Sequence, residues 1–277
     1  MPILKGRDGD LYYELSGQGS PVLLIQGVGT AGETWRPQVL GLQHEFQTLL
    51  FDNRGIGRSV PLRGKISIAA MAEDAAALIE AAGWSSVHVV GHSMGGIIAQ
   101  QLALDFPKRV RSLSLLCTFS KGKEAARLTP WVLWMTLRTR VGSTRMRRHA
   151  FLEMLISKQR LESADLDALA TQYGRMIGRD LSDQPPILMK QVMAMGRNNC
   201  SARLGELSNI PTLVVSADED RIAQPRFGRR LAELIPGAGF KLITGASHGV
   251  TLEKPDETNR LLGDFFRQID GTRTSRA

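Results

Sequence analysis

The residues with the clearest chemical meaning lie in Gly91-His92-Ser93-Met94-Gly95-Gly96. An apolar run, Val87-His88-Val89-Val90, precedes them, and a helical pattern over residues 97–104 follows. A serine on a sharp strand-to-helix bend has its hydroxyl thrust out above the sheet. Small residues two before and two after it let the backbone pass close to its neighbours. The next residue opens the helix, so the Met94 N–H is placed to donate to a developing oxyanion, helped by the helix dipole. Such a serine is a weak nucleophile at neutral pH without a base beside it. Of the five histidines, His92 adjoins Ser93 in the chain and cannot turn back onto its hydroxyl. His88 lies inside a strand pattern, and His44 and His149 lie in helical surroundings. His248, in Thr244-Gly245-Ala246-Ser247-His248-Gly249, follows the last strand pattern, at the sheet edge where the bend also opens. It is the expected base. A base of this kind needs a carboxylate to fix its tautomer. Asp218, Glu219 and Asp220 all follow the strand pattern over 211–215.

A second glycine-rich loop competes. Gly27-Val28-Gly29-Thr30-Ala31-Gly32 fits G-x-G-x-x-G after a strand, with Asp52 about 20 residues on, which is the dinucleotide fingerprint. Against it, Trp35 and Pro37 stand where the phosphate-binding helix would open and pack tightly. Asp52 leads into Asn53-Arg54-Gly55-Ile56-Gly57-Arg58-Ser59, read as a structural turn in which Arg54 pairs with a carboxylate.

These loops need a frame. Apolar runs at 21–25, 47–51, 87–90, 110–116, 211–215 and 240–243 alternate with helical patterns at 68–82, 97–104 and 256–269. Continuous apolar strands separated by helices predict a parallel sheet covered on both faces. Between Lys121 and Asn199 no strand pattern occurs. There Thr129-Pro130 reads as a helix start, and Leu166, Leu169, Tyr173 and Met176 recur at helical spacing. The tail from Asp270 to Ala277 is polar and expected to fray.

With Gln26-Gly27 and Trp35, the Asp52 turn, the Ser93 bend, Asp220-Arg221-Ile222, and His248 followed by Glu253 and Pro255, the chain resembles bacterial α/β-hydrolases. The resemblance is to the esterase, enol-lactonase and cofactor-free haloperoxidase group, over residues 11–267. It implies an α/β fold with a mostly parallel sheet flanked by helices. It implies a core of residues 1–120 and 201–277, with a helical cap inserted at 121–200. It singles out Asp220 as the acid, because Ile222 stands two residues on and Pro225 five on, one more than usual, whereas Asp218 matches neither. It also supplies the Val28 N–H as the oxyanion donor paired with Met94. Gln26 stands where the family loop usually has histidine.

The resulting expectation is a carboxylesterase that cleaves esters of small to medium apolar acyl groups through Ser93, His248 and Asp220. It needs no cofactor and no metal. No aspartate takes the nucleophile position, which argues against dehalogenase and epoxide-hydrolase chemistry. Lactonase, enol-lactonase and perhydrolase readings share every residue named. A ligand receptor with residual turnover and a nicotinamide oxidoreductase are the readings from other classes.

Composition sets the remaining limits. The chain has 277 residues, 43% hydrophobic and 22% charged, which excludes disorder and fibres. Two cysteines make no disulfide framework, so Cys117 and Cys200 read as small core residues of a reducing compartment. No apolar run approaches the length of a membrane span, and the charged N-terminus lacks a signal-peptide core. A cytoplasmic location is expected. The net charge is +8, and residues 121–160 carry ten basic side chains against two acids, which accounts for the whole excess. Such a run reads as a solvated face rather than a nucleic-acid surface. The expected partner is a small-molecule ester or lactone, with homodimerisation left open. Trp131-Val132-Leu133-Trp134-Met135-Thr136-Leu137 is apolar nearly all round and is expected to bury more than one face. Trp131, Trp134 and Met135 are therefore expected to wall the substrate pocket above Ser93. Glu253 reads as a loop ion pair rather than a catalytic group.

Overall fold

The computed structural model describes residues 2–6, 8–125 and 129–274; Arg127 of the basic run and the last three residues of the tail lie outside them. The N-terminal part runs β1 (Ile3–Leu4), β2 (Leu11–Ser16), β3 (Ser20–Ile25), α1 (Arg36–Leu42) and β4 (Phe46–Phe51). Then come α2 (Ile68–Ala81), β5 (Val87–His92), α3 (Met94–Asp105) and β6 (Val110–Leu116). Six helices follow: α4 (Gly122–Ala125), α5 (Pro130–Arg138), α6 (Thr144–Leu155), α7 (Lys158–Ser163), α8 (Leu166–Ile177) and α9 (Leu188–Arg197). The chain closes with β7 (Thr212–Ala217), α10 (Pro225–Leu234), β8 (Gly239–Ile243), α11 (Val250–Glu253) and α12 (Pro255–Thr274).

The strands form one sheet in the order β1-β2-β4-β3-β5-β6-β7-β8. β2 pairs antiparallel with β1 and β4, and every other pair is parallel. β5 and β7 are buried at every residue, as strands covered on both faces must be. Their carboxyl ends carry Ser93 and Asp220, and β8 leads into the loop of His248. The three residues therefore meet at one edge because parallel strands all end there.

The ends of the helical stretch come together. Lys121 and Asn199 form an isolated β-bridge, and Cys200 N–H donates to the Ser120 carbonyl at 3.1 Å. Thr129 and Asp165 cap α5 and α8 through their side-chain oxygens. Leu152, Leu169, Tyr173 and Ile177 form a separate small core, which Leu252 of α11 joins from the other side. Burial pushes the Tyr173 hydroxyl up to about 12.

Two expectations fail here. α12 continues to Thr274, and Asp270 accepts from Arg111 at 3.0 Å and faces His88 at 3.3 Å, so the start of the tail is tied down rather than frayed. α5 also does not bury two faces. Met135 is buried, but Leu133, Trp134 and Leu137 are half or more exposed. The helix packs against α6, which covers one side of it. Trp134 is 57% exposed and so does not stand in a closed wall over Ser93. Trp131 lies under the Arg221 guanidinium, 4.2 Å from its ring centre.

Candidate active site

Ser93 sits at the bend between β5 and α3 with φ 55° and ψ −120°, a conformation that a non-glycine residue adopts only when its surroundings hold it. Its N–H donates to Leu116 O at 3.0 Å, and the Thr118 hydroxyl donates to its carbonyl at 2.7 Å. The flanking glycines are steric necessities. A Cβ on Gly91 would lie 2.3 Å from Gly95 O, and one on Gly95 would lie 2.1 Å from Ile25 O.

His248 Nε2 lies 3.0 Å from Ser93 Oγ, and its Nδ1 lies 2.8 Å from Asp220 Oδ2. An ionised carboxylate only accepts, so Nδ1 carries the hydrogen and Nε2 presents its lone pair to the serine hydroxyl. Asp220 Oδ1 accepts from the Ile222 and Ala223 N–H groups, both at 2.8 Å. Burial opposes its ionisation, but His248 and these two N–H donors outweigh burial and hold the carboxyl below its usual range. Asp218 stands apart from this relay: among the described residues its Oδ1 accepts a long contact from Ala246 N–H at 3.4 Å. All three members of the relay are more than nine-tenths buried.

His248 is also held from behind. The His92 ring donates from Nε2 to the His248 carbonyl at 2.8 Å. Ser247 N–H donates to Glu253 Oε2 at 2.9 Å, while Glu253 Oε1 accepts from the Ser157 N–H at 2.9 Å and from the Ser157 hydroxyl. Gly249 N–H reaches Leu155 O at 2.6 Å. Glu253 thus joins the histidine loop to the end of α6 instead of forming the ion pair expected of it. Neither His92 nor Glu253 stood out in the sequence for this, since their partners lie up to 156 residues away.

The loop after β3 comes up against the serine: a Cβ on Gly27 would lie 3.1 Å from Ser93 Cβ. Gly27 N–H donates to Gln26 Oε1 at 2.8 Å, and Gly29 N–H donates to Gln191 Oε1 at 2.9 Å. The Val28 N–H lies between these two. Asp52, the acid of the dinucleotide fingerprint, is fully buried and accepts from Gly32 N–H at 2.7 Å and Arg58 N–H at 2.8 Å. After Gly32 comes a single 3-10 turn closed by the buried Trp35, with no long helix N-terminus to face a phosphate. Arg54 forms a two-point ion pair with Asp74 at 2.6 and 2.7 Å, as its sequence context predicts.

Most of the basic side chains on α5 and α6 have partners. Arg138 pairs with Glu153, Arg145 with Asp167, and Arg148 with Asp180, so much of the local excess is neutralised across the helices. Among the described residues no three His, Cys, Asp or Glu side chains are grouped to hold a metal ion. No described helix is long and apolar enough to cross a membrane.

Chemically, the arrangement can pass a proton from Ser93 Oγ to an imidazole oriented by Asp220. A family model for the alpha/beta hydrolase fold matches residues 20–255, and the chain belongs to that family. It is 31% identical to the Azorhizobium caulinodans protein named "Putative carbamate hydrolase RutD", over 98% of this chain and 100% of that protein. A solved hydrolase from Pseudomonas aeruginosa is similar with a TM-score of 0.81 at 25% identity, covering 96% of this chain and 97% of its own. A structure described as "Est816 as an N-Acyl homoserine lactone degrading enzyme" reaches 0.80 at 26% identity, covering 95% and 100%.

Proposed function

We propose that this protein is a serine hydrolase that cleaves carboxylic esters and lactones through an acyl-enzyme on Ser93. The observation that carries the reading is the unbroken contact from Ser93 Oγ through His248 to Asp220, at 3.0 and 2.8 Å. As Oγ bonds to the carbonyl carbon, its proton passes to His248 Nε2. The carbonyl oxygen becomes an oxyanion, stabilised by the Val28 and Met94 N–H groups. The bond from carbon to the alkoxy oxygen then breaks, and His248 returns its proton to that oxygen. Water repeats the sequence: its proton goes to His248, its oxygen bonds to the acyl carbon, and the bond to Oγ breaks as Oγ is reprotonated. With a lactone the released hydroxyl stays tethered to the acyl group.

The exposure of Trp134 removes the support for an apolar acyl wall, so the reading is set by the carbonyl chemistry and not by acyl length. A carbamate carbonyl is open to the same attack, and the resemblance to a protein named for carbamate hydrolysis favours including that class among the substrates tested. The test is intact-mass measurement after a fluorophosphonate probe, with peptide mapping of the adduct. One adduct on the Ser93 peptide is expected, together with a loss of at least about 10³-fold in kcat on p-nitrophenyl acetate in Ser93→Ala. Labelling at another serine, or near-normal turnover in Ser93→Ala, overturns the reading.

A further inference from the structure

The exposed side chains of α5 are ordered along one face. Leu133, Leu137 and Val141 recur every four residues, and Trp134 and Arg140 fall beside them on a helix of about 3.6 residues per turn. Val141 N–H donates to Leu137 O at 2.9 Å, so the turn continues past Arg138. All five of these side chains are exposed, while Met135 and Thr139 on the opposite side are buried. α9 repeats the arrangement: Gln191, Ala194 and Met195 are buried, whereas Met189, Lys190, Met193 and Arg197 face solvent. Arg140 Nη2 lies 3.0 Å from Met189 Sδ, which joins the two faces. Neither helix contains an acidic residue. Arg138, Arg145 and Arg148 have carboxylate partners, but Arg140, Lys190 and Arg197 pair with no carboxylate among the described residues. α9 also links this face to the loop beside Ser93, since Leu188 Cδ1, next to Met189, would lie 3.0 Å from a Cβ on Gly29.

We propose that this joined face docks on the surface of an anionic lipid bilayer. Leu133, Trp134, Leu137 and the two methionines enter the headgroup layer, and the three unpaired cations meet lipid phosphates. Large apolar side chains exposed together mark a surface that meets another apolar phase. Edged by cations, such a face has the character of a helix lying in a membrane interface. Charge decides the occupant. A second copy seated on the same face across a two-fold axis would bring like charges together. A nucleic acid supplies phosphates but no apolar layer for Trp134 to enter. Each cation at an anionic bilayer strengthens partition about fivefold, so the three together contribute about 100-fold. Docking of this kind does not depend on turnover at Ser93.

The test is cosedimentation at low salt with vesicles of phosphatidylcholine alone and of equal parts phosphatidylcholine and phosphatidylglycerol. The mixed vesicles should bind the protein about 100-fold more tightly. That preference should vanish near 1 M salt, where the Debye length falls to about 3 Å. Tryptophan emission should shift to the blue on mixed vesicles, and Trp134→Phe should bind alike but lose the shift. The variant carrying Arg140→Gln, Lys190→Gln and Arg197→Gln should melt as the unaltered protein does and bind mixed vesicles about 100-fold less tightly. Removing the same charge elsewhere, through Lys108→Gln, Arg230→Gln and Lys241→Gln, should leave binding within about threefold. Equal losses in the two triple variants, no preference for mixed vesicles, or no binding at all overturns the proposal. So does a concentration-dependent dimer, seen by light scattering, that Leu137→Asp abolishes, because the face then belongs to a second copy.

Discussion

Acidification should weaken this protein more than a variant that lacks the His92 ring. His92 is enclosed by the His248 carbonyl at 2.8 Å, Gln26 Oε1 at 3.3 Å, the Trp35 ring edge-on at 6.4 Å and the His248 ring at 5.0 Å. Burial, with repulsion from His248, pushes its pKa down to about 4 from an ordinary 6.5. The folded value lies below the unfolded one, so between them the unfolded chain binds the extra proton. Stability is therefore complete above about pH 6.5, declines as pH falls toward 4, and loses nothing further from this group below that. The whole gap corresponds to about 3 kcal/mol, of which about 2 kcal/mol is lost by pH 4.5. His92→Gln keeps an amide donor for the His248 carbonyl and cannot titrate. Urea unfolding followed by circular dichroism at pH 7 and pH 4.5 gives the free-energy loss for each protein. Carboxylates titrate alike in both, so the difference isolates His92. The unaltered protein should lose about 2 kcal/mol more than the variant. Equal losses would refute the reasoning, because they would mean that the native ring takes up a proton as freely as the unfolded one.

Asp220→Asn should cut kcat by several orders of magnitude through the wrong histidine tautomer, about 10⁴ in the serine-protease precedent, while Asp218→Asn stays within about tenfold. Reversed results in steady-state kinetics would move the acid by two residues. Trp134→Ala should leave the ratio of kcat/KM for butyrate and acetate esters within about twofold and stability within about 0.5 kcal/mol, since the side chain is 57% exposed. A fivefold or larger change would return Trp134 to the pocket. Glu253→Gln should lower stability by about 1–3 kcal/mol and reduce kcat with little effect on KM, because it weakens the bonds that join Ser157 to Ser247. Unchanged melting and kinetics would show that this bridge is dispensable.

Readings that depend on contacts local in the chain were accessible from residue types and spacing. Gly91, Ser93 and Gly95 are constrained by backbone atoms a few residues away or on the adjoining strand, so the tight bend has a compositional signature. The parallel sheet was readable from continuous apolar runs, because strands covered on both faces cannot alternate. Bringing Ser93, Asp220 and His248 to one edge then follows from all three strands ending there. Trp134, Gln191, Glu253 and Asp270 were misjudged or missed for the converse reason. An apolar helix such as α5 carries no mark of how many neighbours will cover it. Gln191 and Glu253 look like ordinary polar residues until Gly29 and Ser157, each about a hundred or more residues away, are folded against them. A hydrophobic pattern states which residues avoid water, whereas the partner of a buried amide or carboxylate is chosen by distances that exist only once the helical stretch has closed over the sheet.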